Sequence, residues 1–522
     1  MSDPTQVEAP PPSARVVAAR RALVAALALG VLANLLLRNE PWGLGLGAWI
    51  ILFAAALLVT LRPTNRRLGG EGRLWLTTAV LFAALLAWRD SALLHVFNVF
   101  AMLASLTLLS IHLVRYPAAG LGTARVQDLV HGAAATALHV AIGIIPLALV
   151  EADVRAARAT QHVRGWRLGR AVLLATPVLV VFAALFASAD PVFASFLRLP
   201  RWPLGELVSH MVISGFFAWV VAGWLRRAVV ADIPGGAPPE LPRPLTLGVT
   251  DLVLLLGGLA VLFAGFVLTQ VGWLYGGEAL AMRTTGLTYA SYARRGFAEL
   301  TGVVVLLIPL LLVTRSLVPP DDARARRLYR ALSAVLVLLL AVIITSAFAR
   351  MRLYVHYYGL SVDRLMASAV MVWLATTSAW LALTVLRERP LRFAAGVVAT
   401  AFAILLGLNV LAPDAWVARA NLARTAGSDA SVTGPDPLYL ASLGGDAIPA
   451  VVNAVVAPSA EVAADGDRCR AADRLLQRWA GERAAKVTAH WSQRNAARQR
   501  AVRAVREHES ELRAIACPGT QH

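Results

Sequence analysis

Charge is scarce in this chain. Only 15% of its 522 residues are Asp, Glu, Lys or Arg, where soluble domains carry about a quarter. Lysine is almost missing, with Lys486 standing alone, so the formal charge of +18 is carried almost wholly by arginine. Cysteine occurs twice, at Cys469 and Cys517. The chain has no GxxxxGK[ST], HExxH, CxxC or GxSxG string. Nucleotide, zinc and serine hydrolysis by the familiar schemes are therefore disfavoured, and the sequence offers neither a metal-ligand set nor a cofactor motif.

Long apolar runs fill the space that charge leaves. Hydrophobic residues make up 58% of the chain, and the mean hydropathy is +0.64. A helix needs about 20 mostly apolar residues to cross roughly 30 Å of hydrocarbon. Lipid cannot satisfy a backbone N–H or C=O, so a spanning segment is a helix or a closed barrel. The runs here are continuous rather than alternating, which selects helices. The fold class expected is all-α: a polytopic transmembrane helical bundle with a C-terminal helical tail outside the membrane. Spans are read at 21–37, 45–61, 74–88, 92–114, 170–187, 206–225, 250–272, 298–315, 330–349, 365–386 and 391–411. That makes eleven, or twelve if 129–150 also crosses.

Arginine-rich short loops belong on the cytoplasmic side. Arg15, Arg20 and Arg21 place the N-terminus inside, and Arg62, Arg66, Arg67 and Arg73 do the same for the second connection. Arg155, Arg158, Arg164 and Arg167 need 151–169 inside as well. All of these agree only if 129–150, with His131, His139 and Pro146, is re-entrant or interfacial. The expected domains are a disordered, Pro-rich leader (1–14), a transmembrane helical domain (15–412) and an extracytoplasmic helical tail (413–522). No cleavable signal peptide is read. Both cysteines fall in the tail, and an oxidising compartment favours a disulfide between them; two unrelated thiols are the plainer reading. Residues 467–516 read as helix. A straight helix of that length would run roughly 70 Å, so a bridge needs a hairpin turning near Gly481 or His490.

Several strings stand out. One is Thr285 to Leu300 (TGLTYASYARRGFAEL), with Tyr289, Tyr292, Arg294, Arg295 and Glu299. Another is Leu353 to Ser361 (LYVHYYGLS), with Tyr354, His356, Tyr357 and Tyr358, followed by Arg364. A third is Ala189-Asp190-Pro191-Val192-Phe193. In the tail, Asp436, Tyr439, Leu440, Leu443, Asp446, Ala447, Pro449 and Ala450 form a DxxYLxxLxxDAxPA pattern, and Trp491, Asn495, Arg498 and Ala501 form a terminal one. On these strings the chain resembles a bacterial multi-spanning membrane family known only as a domain of unknown function, the DUF4153/DUF4173 group. The resemblance runs from about residue 30 to 510 and implies membrane location and a similar architecture. It implies no activity. The family's Asp-Trp and Trp-Asn pairs near Trp491 are not matched, since His490 and Arg494 stand there.

In the eleven-span topology these strings, together with Asn421 of the tail, lie on the outer face. Function concentrates on loops, so an outward-facing binding site roofed by the tail is expected. Plainer readings stand beside it. Glu299 inside a span is a functional candidate by cost alone, yet it can pair with Arg295 one turn earlier. The tyrosines can line a pocket, or sit at the interface because they are amphipathic. His356 titrates near neutrality, but one histidine makes no metal site. Asn34, His95, Asn98, His112, His210, Asp251, Gln270 and Asn409 read as interhelical hydrogen bonders, with a proton relay through His95 and Asn98 as the bolder alternative.

The lipid bilayer is the certain partner. An envelope ligand or a second membrane protein is a candidate one, and nucleic acid is not expected despite the basic charge. Three functions compete: a transporter or lipid-handling protein with substrate between two bundles, an envelope sensor or scaffold acting through the tail, and a membrane-embedded transferase using Glu299 or Asp190 as base. The last ranks lowest because no paired carboxylates are evident.

Overall fold

The computed structural model describes residues 12–39, 42–64, 68–115, 121–151, isolated positions between 175 and 190, 204–231, 246–269, 297–388, 390–424, 435–457, 465–481, 484 and 490–517. Every regular element among them is a helix. The first group is α1 (Pro12–Leu37), α2 (Leu44–Leu61), α3 (Gly70–Trp88), α4 (Ala92–Arg115), α5 (Val126–Ile142) and α6 (Leu204–Leu225). The second is α7 (Val249–Thr269), α8 (Phe297–Leu317), α9 (Ala323–Tyr358), α10 (Val362–Thr384) and α11 (Phe393–Leu411). Then come α12 (Pro413–Leu422), α13 (Pro437–Ser442), α14 (Ile448–Val456), α15 (Asp465–Trp479), α16 (Ala496–Glu507) and α17 (Glu509–Ile515).

Among the described residues nine helices are long and apolar enough to span a bilayer. They coincide with nine of the eleven expected spans. Of the other two, 298–315 is α8, whose apolar stretch Thr301–Leu317 is shorter, and most of 170–187 lies outside the described residues. Of the leader expected at 1–14, residues 1–11 lie outside them too, and Pro12 to Ala14 begin α1. Helix α9 has 36 residues, about 54 Å of helix. It therefore extends well past the 20-residue span expected at 330–349 and carries Tyr354 to Tyr358 beyond the hydrocarbon.

The helices sort their faces by size rather than by polarity. On α1, Ala18, Ala19, Ala22, Ala26 and Ala33 are buried, while Val24 is 67% and Leu35 is 65% exposed. Water would oppose such a surface; lipid does not, and small residues let helix backbones approach. Helices α1 and α6 run antiparallel on this principle. Gly30 packs so tightly that a Cβ there would lie 2.3 Å from the Ser214 carbonyl oxygen, and the Asn34 amide meets His210 Nδ1 at 2.6 Å.

Two apolar cores result. One joins α1–α4 with α6, the other joins α7–α11. Helix α11 ties them together. Its Phe402 ring lies 5.3 Å from Phe82 of α3, and a small seam of Leu94, Met366 and Leu408 links α4, α10 and α11. Within that seam Asn98 and Asn409 exchange amide hydrogen bonds at 3.0 and 2.8 Å. Helix α5, continued by Ile144–Pro146 and a π-helical turn to Glu151, meets α4 at Ile111 and crosses α6 at Gly223, beside His139 and Val140.

Helices α12–α17 bury an apolar core of their own, including Val417, Leu440, Ile448, Val452, Leu475, Trp479 and Val505. Cys469 at the start of α15 is bonded to Cys517 after α17, with Cα atoms 4.9 Å apart. The chain reverses between Trp479 and Asn495, as the bridge requires, and Gly481 adopts φ +58° in that stretch.

Gly30→Ala should destabilise the α1–α6 pair, because the clash is with backbone; overpacking of this kind costs about 1–3 kcal/mol. Gly215→Ala, whose methyl meets open space, should be neutral. Thermal unfolding of the two purified variants separates these outcomes.

Candidate functional site

The polar residues of the described chain gather where the C-terminal helices meet the ends of the bundle. The centre is the short turn Arg89-Asp90-Ser91 between α3 and α4. A charged pair cannot continue an apolar span, so α3 stops with Arg89 extended at φ −106°, ψ 153°. His95 Nε2 lies 2.7 Å from the freed Arg89 carbonyl, and Asn495 Nδ2 donates to the same oxygen at 2.6 Å and to Leu86 O at 2.7 Å.

Both charges of this turn are buried and paired. Arg498 Nε donates to Asp90 Oδ1 at 2.8 Å, and the Gly445 N–H donates to Oδ2 at 2.9 Å. Arg89 reaches Asp446 Oδ1 at 3.1 Å and donates to the Asn409 and Val410 carbonyls at the end of α11. Asp446 accepts in addition from the Asp90 N–H at 2.9 Å and from Arg500 at 2.9 Å. The turn and the tail thus hold each other by two reciprocal carboxylate contacts. Gly444 is required by the approach, since a Cβ there would lie 1.7 Å from Asp90 O.

Asp414, at the start of α12, is buried beside this network and accepts from the Gly444 N–H at 2.8 Å. Burial pushes its pKa up; the Ser91 hydroxyl and Gly444 oppose the shift, while Asp90 and Asp446 add to it.

Two further turns are gripped by the tail. At the α9–α10 turn, Asn421 bonds both backbone groups of Leu360, accepting from N–H at 3.0 Å and donating to C=O at 2.7 Å. The Val362 N–H donates to the Tyr439 hydroxyl at 3.1 Å. At the α1–α2 turn the Leu44 N–H donates to Arg494 O at 3.1 Å.

The tail residues singled out from sequence therefore meet the bundle or hold the tail's own turns. Asn421, Tyr439, Asp446, Asn495 and Arg498 touch the membrane helices, while Asp436 caps α13 through the Tyr439 N–H at 2.9 Å. Trp491 is 53% exposed on the same face as Trp42, Trp88 and Trp416, the placement expected of an interfacial aromatic belt. Arg364 lies 3.9 Å over the Tyr354 ring, whose neighbour Tyr358 is 5.2 Å away. His356 and Tyr357 stand edge to face at 5.3 Å. Tyr289, Tyr292, Arg294 and Arg295 lie outside the described residues, as does the Glu299 side chain, although its backbone belongs to α8. Asp190 is exposed at the end of a helical turn, its N–H donating to Phe186 O at 2.9 Å. His95 and Asn98 turn to different partners, the Arg89 carbonyl and Asn409. His112 lies 3.5 Å from Glu71, Asp251 caps its own helix at Gly248, and Gln270 lies outside the described residues.

Arg89, Asp90, Ser91, Asp414, Arg424, Gly444 and Gly445 are not among the residues that stand out in the sequence. The available signal was an adjacent Arg-Asp pair in a three-residue connection between two spans, a place where charge needs a partner. No group of three or more His, Cys, Asp or Glu side chains among the described residues could hold a metal ion.

A chain of this kind is a polytopic helical membrane protein with a folded, disulfide-bridged tail docked on one end of its bundle. It belongs to the family described as Domain of unknown function (DUF4153), whose model matches residues 76–454. The match takes in the Arg89–Asp90 turn and Asp446, and stops before Asn495 and Arg498. No curated protein and no solved structure matches the chain.

Arg498→Met should strand Asp90 as a buried, unpaired carboxylate, a loss of about 3–5 kcal/mol. The tail should then become protease-sensitive well below the melting temperature of the bundle, which timed proteolysis against temperature would register. Asp414 gives the opposite sign. Its folded pKa is raised, so its stabilising contribution is full below the ordinary carboxylate value and is lost as pH rises through the folded value. Asp414→Asn should dock the tail at least as firmly as the parent at neutral pH. It should also remove the gain in stability that the parent shows as pH falls from neutral toward the carboxylate range, as followed by thermal unfolding across pH.

Proposed function

We propose that the chain is an envelope scaffold or sensor, a helical bundle carrying a fixed, extracytoplasmic roof through which it meets a ligand or a second membrane protein. The clamp at Asp90 carries this reading. A tail serving only as a tether gains nothing from two buried carboxylates and grips on three separate turns; a tail that must hold a defined pose relative to the bundle does.

An odd number of crossings with the N-terminus inside would put the tail on the extracytoplasmic side. The turns gripped by the tail, α1–α2, α3–α4 and α9–α10, are those that alternation assigns to one side, along with the end of α11. Antiparallel packing of α1 on α6 needs an odd number of crossings between α4 and α6. One crossing at 170–187 supplies it if 126–151 lies across the helix ends, and the contacts of α5 near the ends of α4 and α6 favour that course. The disulfide between Cys469 and Cys517 fits an oxidising compartment. Transport between the two bundles is the weaker reading. Leu94, Met366 and Leu408 pack the seam, and the cavity among α8, α9 and α10, lined by Thr301, Ile343, Met371 and Leu374, is about 20 Å³, room for about one water.

Membrane-impermeant thiol reagents on intact cells should label Cys469 and Cys517 only after reduction. Cross-linking in native membranes should recover a partner with the full chain and lose it with Arg498→Met. Labelling only after the membrane is breached would place the roof inside the cell, and a full chain recovered alone would remove the scaffold reading.

A further inference from the structure

Helix α9 ends at Gly359, whose φ of +76° turns the chain sharply and leaves the last carbonyls without intrahelical donors. Two arginines from different segments cap them. Arg364 of α10 donates through Nη1 to the Tyr358 carbonyl at 3.1 Å and to that of Gly359. Arg424, just past α12, donates through Nη2 to His356 O at 2.7 Å and to Tyr357 O at 3.5 Å. Arg424 Nη1 occupies the place a Cβ on residue 359 would need, 2.4 Å from it.

One cation at a helix C-terminus is ordinary. Two are more than the helix can balance, since its terminal partial charge is about −0.5. Among the described residues neither guanidinium has a carboxylate within ion-pair distance; Asp363, next to Arg364 in sequence, is exposed and forms no ion pair with either. Burial lowers the Arg424 pKa, and the charge of Arg364 lowers it further. Each guanidinium uses one amino group on the carbonyls. Among the described residues its Nε–H and its second amino group have no acceptor, and both arginines are only part-buried. The Tyr354 ring under Arg364 fixes the plane of that fork.

We propose that Arg364 and Arg424 form a binding site for a phosphate-bearing anion, at the seam between the α9–α10 turn and the tail. Two guanidinium groups with idle donors suit a tetrahedral oxyanion, whose charge removes the repulsion between them. The site lies beyond the hydrocarbon, on the face where the tryptophans mark the interface, so a phospholipid headgroup and a free phosphate share the required chemistry. The site needs only these residues and holds whichever side of the membrane this face meets.

The test uses the purified full chain in nanodiscs of phosphatidylcholine with and without phosphatidylglycerol, and separately in detergent titrated with inorganic phosphate. For a headgroup site, native mass spectrometry should show phosphatidylglycerol retained over phosphatidylcholine. Arg364→Gln and Arg424→Gln should each weaken retention roughly tenfold, the loss of one charge-assisted contact. Arg419→Gln, an exposed arginine on α12, should change nothing. For a free-anion site, phosphate should raise the melting temperature of the parent and not of the two variants, with no lipid preference. Binding of neither probe by the parent chain overturns the proposal, whatever the variants do. Equal binding by the parent and both folded variants overturns it as well.

Discussion

A carboxylate withdrawn from water needs its partners at once, and Asp90 finds them at the far end of the chain. Arg498 and the Gly445 N–H take its two oxygens, while its own N–H and the neighbouring Arg89 are taken by Asp446. Replacing such a network by well-packed hydrophobic residues often leaves stability unchanged or raises it, but losing one member leaves a buried charge uncompensated. Its consequence is therefore a pose more than a margin of stability. Because Arg89 also binds the last carbonyls of α11, the α3–α4 turn, the exit from the bundle and the tail are fixed together.

The bundle beneath obeys a different constraint. Lipid supplies no hydrophobic drive between helices, so contact depends on close packing and on a few polar pairs. Gly30 against Ser214, and Asn98 against Asn409, are the two forms this takes here. Helix α9 outruns the hydrocarbon and carries its tyrosine-rich end up to the tail, where Asn421, Tyr439 and Arg424 meet the turn that follows. The grip at that turn is made almost entirely through backbone atoms on the bundle side. Such contacts hold a shape without demanding particular side chains there.

Part of the candidate site was legible in the chain. Asn421, Tyr439, Asp446, Asn495 and Arg498 stood out as chemically rich residues in an otherwise apolar and alanine-rich sequence, and each contacts the membrane helices. Their partners did not stand out. Asp90 lies 408 positions from Arg498, and no spacing rule reaches across that distance. Asp414 falls where the apolar density ends, and only burial beside Asp90 and Asp446 makes its charge costly. Arg364 stood out beside the tyrosine-rich string, but nothing in the sequence tied it to Arg424, and only the fold brings both to the same helix end.

The sequence by itself determined the class of the protein. Runs of about 20 apolar residues leave a chain no alternative to spanning helices. Two cysteines in one polar segment were enough to anticipate the bridge and the hairpin it demands. Which helix packs on which, and which carboxylate meets which guanidinium, only the tertiary structure decided. Apolar helices without a polar face carry no record of their neighbours, and ion pairs between the two ends of a chain exist only once the turns have been brought to one surface.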